Sequence, residues 1–127
     1  MIQRLTGSLV FQTEALVLRA ERQRLIASNI ANADTPGYVS RDFNFASALR
    51  DATSGRNAGS GDAARPRRAP ELRYATPSQT NLDGNTVDMD RERAAFADNA
   101  VKYESTLRFI NGSVRTMLDA MKSHNQG

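Results

Sequence analysis

The sequence predicts a mainly α protein. Long N- and C-terminal helices pack as a coiled-coil-like pair, joined by a short extended segment and a flexible loop. Three observations predict it. Apolar residues recur every three or four positions near both ends of the 127-residue chain. A Pro36-Gly37 step ends the first periodic stretch. Residues 51–79 change to Ala, Gly, Ser, Pro and Arg and hold three of the four prolines. These features divide one structural unit into an N-terminal helix (1–35), a turn and extended segment (36–50), a flexible variable linker (51–80) and a C-terminal helical region (81–127).

The C-terminal periodicity is the longer. Its positions are Met89, Arg93, Phe96, Ala100, Tyr103, Leu107, Ile110, Val114, Met117 and Met121, and only Arg93 is not apolar. The spacing alternates four and three, and a 3.5-residue repeat keeps one seam of a helix on a partner. Such a helix is roughly 50 Å long, more than a small core can cover. It needs a second long helix, from this chain or from a neighbouring copy. An ordinary amphipathic bundle helix would also show the pattern, but a repeat over more than four heptads favours coiled-coil-like packing. Phe96, Tyr103, Leu107, Ile110, Val114 and Met117 are therefore candidate assembly residues.

The first helix reads from about Ser8 to Ala33. One stripe is Leu9, Thr13, Leu16, Ala20, Gln23, Ala27 and Ile30. A second, Phe11, Ala15, Leu18 and Leu25, lies on nearly the opposite face. A helix with two apolar faces wants two partners. Leu9, Leu16 and Ile30 join the candidate assembly set. A bundle helix with a greasy surface is the plainer reading.

The residue before a proline is pushed out of the α region, so the helix stops by Thr35. Pro36 and Gly37 suit the centre of a type II turn, where proline presets φ and glycine supplies a positive φ. Asn32 and Asp34 can turn or cap backbone through their side chains. Residues 38–45 alternate in character and read as a short extended segment. A brief helix is compatible with 46–50. Residues 51–79 cannot bury enough apolar surface to offset their ordering entropy and read as a mobile loop. Leu72, Tyr74 and Ala75 suggest one short strand inside it.

Asp83-Gly84 is a turn signal. Asp88 is a good N-cap for the last helix, and Asp90 and Glu92 put negative charge in its first turn. An EF-hand calcium loop needs glycine sixth and glutamate twelfth; counted from Asp83, glycine falls second and Ala94 twelfth, so capping explains these acids better.

Composition excludes several classes. Mean hydropathy of −0.54 and 6% aromatic content argue against a large core. A net charge of +3 does not by itself point to nucleic acid. Arg65, Arg67 and Arg68 could touch an acidic surface, but a solvated linker is the commoner explanation, and residues 81–127 carry seven acids against six bases. With no Cys there are no disulfides or thiolate metal sites. No apolar run spans a membrane. The N-terminus lacks the pattern of a cleaved secretory signal, so export, if it occurs, needs another route. One histidine, His124, and no phosphate loop leave no recognisable active site; catalytic, cofactor-binding and metal residues are none.

Two stretches carry a family resemblance. Ala27-Ser28-Asn29-Ile30-Ala31-Asn32-Ala33-Asp34-Thr35-Pro36-Gly37-Tyr38 resembles the N-terminal signature of the bacterial flagellar rod, hook and hook-associated proteins. Residues 82–93, with Asp83, Gly84, Asn85 and Asp88, continuing through Phe96 to Tyr103, resemble the C-terminal signature of a basal-body rod protein of that family. The resemblance covers most of the chain except 51–79. It implies a structural subunit of the proximal rod crossing the periplasm, exported through the flagellar type III apparatus without a cleaved signal. It implies, as partners, further copies of itself, other rod subunits, the basal-body adaptor FliE and the flagellar export gate, with no nucleic acid and no membrane span. A helical adaptor or chaperone of the export system is the alternative, and a basic nucleic-acid-binding helical module a more distant one.

Overall fold

The computed structural model describes residues 2–57, 72–74 and 87–125. In order these form α1 (Ile2–Ala31), β1 (Arg41–Phe43), α2 (Phe45–Asn57), β2 (Leu72–Tyr74) and α3 (Met89–Asn125). Among the described residues no helix is long and apolar enough to cross a membrane.

The long terminal helices pack against each other, as the periodicity requires. They are antiparallel, because Glu92 near the start of α3 meets Asn29 near the end of α1, and Asn99 meets Gln23. On that register Ile2 lies level with about Asp119, so the last turn or so of α3 has no α1 beside it.

Helix α1 begins six residues before the sequence reading starts it. Gly7 does not stop it, because glycine costs only about 1 kcal/mol in a helix, and Gln3, Arg4 and Leu5 are good helix formers. The helix stops at Ala31, ahead of Pro36. Tyr38 N donates to Thr35 O at 3.2 Å, and Gly37 has φ +75°. This is the type II turn that Pro36-Gly37 prefers.

The chain then returns along α1. Strand β1 pairs antiparallel with β2, Asp42 opposite Arg73. Helix α2 runs over 13 residues, so seven positions assigned to the linker are helical. Its start is well specified. Asn44 is the N-cap, its Oδ1 accepting from Ser47 N at 3.0 Å. Phe43 just before the cap and Ala48 four residues after it share one cluster, a hydrophobic staple. Gly and Ser within α2 hid its length from a propensity reading. The rest of the expected linker, 58–71 and 75–80, lies outside the described residues, and with it Ala75, Arg65, Arg67 and Arg68.

The core sits between α1 and the returning chain. Leu18, Leu25 and Phe43 form it, with Phe45, Ala48 and Leu49 against them. Arg19 stacks over the Phe45 ring at 4.4 Å, and Arg22 meets Asp42 at 3.4 Å. Burial, with Arg22 beside it, holds the Arg19 guanidinium below its ordinary value. So α1 does have two partners, and both are in its own chain. Leu18 and Leu25 pack on β1 and α2, while a second face meets α3.

Candidate assembly interface

The N-terminal motif folds into a clasp around Asn29, which is 2% exposed. Its Nδ2 donates to Arg41 O at 2.9 Å, and its Oδ1 accepts from Arg41 N at 3.0 Å. The carboxamide thus takes both backbone groups of Arg41, as a neighbouring strand would. Tyr38 Oη also donates to Asn29 Oδ1, at 3.0 Å. The remaining Nδ2 hydrogen points to Glu92 Oε1 at 3.4 Å. One buried amide therefore ties the end of α1, the segment after the turn and the first turn of α3. Burial pushes the Glu92 carboxyl above its ordinary value, and the Asn29 bond only partly offsets that.

Asn32 organises the turn. Its Nδ2 donates to Ser28 O at 2.8 Å, and its Oδ1 accepts from Thr35 Oγ1 at 3.2 Å. Thr35, Pro36 and Gly37 are exposed. Asp88 caps α3, its Oδ1 accepting from Arg91 N at 3.3 Å. Asp83, Gly84 and Asn85 lie outside the described residues.

The helix pair divides the predicted seam of α3. Tyr103, Ile110 and Met117 are half-buried on the side of α1. Leu107 (37% exposed), Val114 (42%) and Met121 (63%) are turned out, and Phe96 sits at the rim at 39%. The buried positions of α3 are instead Asn99 and Thr106. The helix thus turns a polar line inward (Glu92, Asn99, Thr106, Ser113) and an apolar line outward (Ala100, Leu107, Val114, Met121). A stripe reading weights apolar residues and so missed Asn99, although the seven-residue spacing of that polar line is visible in the sequence.

On α1, Leu9, Leu16 and Ile30 are half-buried, on the line of Gln23, whose Nε2 donates to Phe96 O at 3.5 Å. Thr13, Ala20 and Ala27, beside that line, are exposed. Between the helices, Ala20, Ala27, Ala100 and Tyr103 floor an open groove of about 590 Å³, with Arg24 and Glu104 at its edge. Small side chains there would let another backbone come close. Leu5, Phe11, Val101, Phe109 and Leu118 are also exposed.

Two long antiparallel helices, a small core and apolar lines left on the surface define an assembly subunit, a protein whose packing is completed by neighbours. Comparison with known proteins gives the particular family. Residues 9–38 match the model of the flagella basal body rod protein family. The chain is 46% identical to the flagellar basal body rod protein FlgB of Escherichia coli (strain K12), over 98% of this chain and 100% of that protein. It is 45% identical to FlgB of Salmonella typhimurium, again over 98% and 100%. With FlgB of Yersinia enterocolitica it shares 43% over 96% and 98%. The chain belongs to the FlgB family of flagellar basal body rod proteins.

Proposed function

We propose that the chain is a structural subunit of the flagellar basal-body rod, built into it through its two terminal helices. One observation carries the reading beyond family membership: α3 buries Asn99 and Thr106 against its own chain and leaves Leu107, Val114 and Met121 37%, 42% and 63% exposed. Burying apolar surface stabilises by about 25 cal/mol per Å², so a free helix that exposes its apolar line keeps that contribution for another contact. The proposed interface is the outward line Leu107–Val114–Met121 with the flank of Phe96, and the alanine-floored groove beside it. Leu9, Leu16, Ile30, Tyr103, Ile110 and Met117 support that surface from between the helices. The role is structural, not enzymatic.

The finer assignment is a place in the proximal rod, in the periplasm, reached through the flagellar export apparatus without a cleaved signal. Its neighbours are other copies, other rod subunits, the adaptor FliE at the base and the export gate during passage. An adaptor of the export system is the competing role, and fractionation separates the two, because a rod subunit stays with purified basal bodies. Leu107→Asp is the direct test of the interface. It should leave the subunit exported but lost from the basal-body fraction, whereas Arg108→Ala, one residue on and exposed, should assemble. Normal assembly of Leu107→Asp would show that this line faces solvent in the rod.

A further inference from the structure

The helix pair has a register problem that its apolar residues cannot solve. Phe96, Tyr103, Ile110 and Met117 recur every seven residues along α3. On α1, Leu9, Leu16 and Ile30 likewise lie on a seven-residue line. Sliding one helix by a heptad brings like against like. Apolar packing is therefore nearly indifferent between alignments, whether α3 meets its own α1 or that of another copy.

One contact is not indifferent. Asn99 is fully buried and reaches across the pair. Its Nδ2 donates to Gln23 Oε1 at 2.7 Å and to Arg19 O at 2.9 Å. Gln23 is the single polar residue on the line Leu9, Leu16, Gln23, Ile30. A heptad slide would set the Asn99 amide against Leu16 or Ile30, with no side-chain partner. The other inward polar groups discriminate less. Thr106 bonds its own helix, donating to Lys102 O at 2.8 Å. Glu92 reaches Asn29 at a longer 3.4 Å from a half-buried position, where water can substitute.

The Asn99 contact also gives up stability. Its Oδ1 is buried with no hydrogen-bond partner. Replacing a buried polar pair by apolar residues of similar size is often neutral or stabilising. A buried polar pair between two helices, here opposite the otherwise apolar Leu9–Leu16–Ile30 line of α1, is instead known to specify alignment and partner.

We infer that the Asn99–Gln23 pair sets the register of the α1/α3 pair, selecting this alignment over those displaced by one heptad. The inference needs only the helix pair and stands apart from the proposed outward interface.

Disulfide trapping on the full-length chain tests it, and the native chain has no cysteine to interfere. Ala20→Cys with Ala100→Cys reports the native register, since both residues floor the groove. Ala20→Cys with Leu107→Cys reports a one-heptad slide, about 10 Å away along the axis and beyond disulfide reach. In the parent background only the first pair should cross-link. With Asn99→Leu and Gln23→Leu together, the slid cross-link should rise about tenfold, as loss of the buried Asn99–Gln23 hydrogen bond allows. Helicity and urea midpoint of that variant should be unchanged or higher. Exchanging the two side chains, Asn99→Gln with Gln23→Asn, should restore the native cross-link alone. The inference is overturned if the double Leu variant keeps only the native cross-link. It is equally overturned if that variant loses its helix, or if the native pair never forms in the parent.

Discussion

The carboxamide of Asn29 brackets the backbone of Arg41, donating to its carbonyl at 2.9 Å and accepting from its N–H at 3.0 Å. A residue on the last turn of α1 thereby acts as the missing neighbour of a strand twelve residues later. The same side chain accepts from Tyr38 Oη and reaches Glu92 at the start of α3. The N-terminal motif and the beginning of the C-terminal helix meet at one amide.

Asn29→Ala should therefore be among the costliest single changes. It removes the Asn29 hydrogen bonds of the Arg41 N–H and C=O and of Tyr38 Oη at a part-buried site. Unsatisfied buried groups cost about 1–3 kcal/mol each, and partial water entry should leave a loss of roughly 3 kcal/mol. Asn29→Asp keeps the acceptor but not the donor, and it brings a carboxylate up to Glu92. Urea unfolding followed by circular dichroism should rank both well below the parent. A loss under about 0.5 kcal/mol, the level of an ordinary surface change, would remove the clasp from the account.

Gly37 is held at φ +75°, where an L side chain is strained even though nothing lies within 4 Å of a Cβ placed there. Gly37→Ala should cost about 1 kcal/mol through backbone conformation alone. Gly7 and Gly112 meet nothing either and have no such φ. Gly112→Ala, in the interior of α3, should stabilise by up to about 1 kcal/mol in the isolated chain. Opposite signs in paired thermal melts would confirm that conformation, not space, decides both.

Glu92 makes stability depend on pH in a predictable direction. Burial raises its folded-state pKa above the ordinary value of 4.5. The folded state then binds the proton more tightly than the unfolded one. The associated stability is fully present below 4.5 and is lost as pH rises through the folded value. Glu92→Gln mimics the protonated form and can still accept from Asn29. Its advantage over the parent should be present at neutral pH and vanish as pH falls to 4.5. Urea midpoints of both proteins across that window provide the measurement. An advantage that persists unchanged in acid would mean that the carboxylate charge is not the cause.

Glu21 and Asp98 work the other way. Hydrogen bonds from Arg24 and Lys102 hold their carboxyls below the ordinary range. Their stabilisation is present above that range and is lost as pH falls through the lowered values. Both pairs are solvent-screened surface contacts, so their part of the curve should flatten in high salt while the Glu92 part persists.

Ile110→Asp and Leu107→Asp separate the two sides of α3. Ile110 is half-buried toward α1, and Leu107 faces out. Ile110→Asp should lower the stability of the isolated chain by a few kcal/mol, because a carboxylate enters a partly desolvated seam. Leu107→Asp should cost the isolated chain clearly less, about 1 kcal/mol, and fail chiefly at assembly. Denaturation and recovery in the basal-body fraction, measured side by side, check this. Equal losses of stability in the two variants would mean that the helix is rotated from the face described.

Local chemistry made much of this molecule legible from its sequence. Two long helices follow from apolar periodicity, which depends only on residue spacing along a chain of 3.6 residues per turn. The stop before Pro36 and the type II turn follow from the φ restrictions of proline and glycine. The Asp88 cap follows from the orphan amides of any helix start. Tertiary structure decided the rest. Periodicity shows that α3 has an apolar seam, but not which edge of it a partner takes. Here the intrachain contact is rotated onto Asn99 and Thr106, and half the seam is left to solvent. The two faces of α1 were readable as faces; that β1 and α2 would cover one of them was not, because that contact joins residues distant along the chain. Asn29 shows the difference most sharply. As a residue it is an ordinary polar position near a helix end. Its partners at Arg41, Tyr38 and Glu92 are brought to it only when the chain turns at Gly37 and α3 docks, and a hydrogen bond between distant residues has no period by which a sequence could announce it.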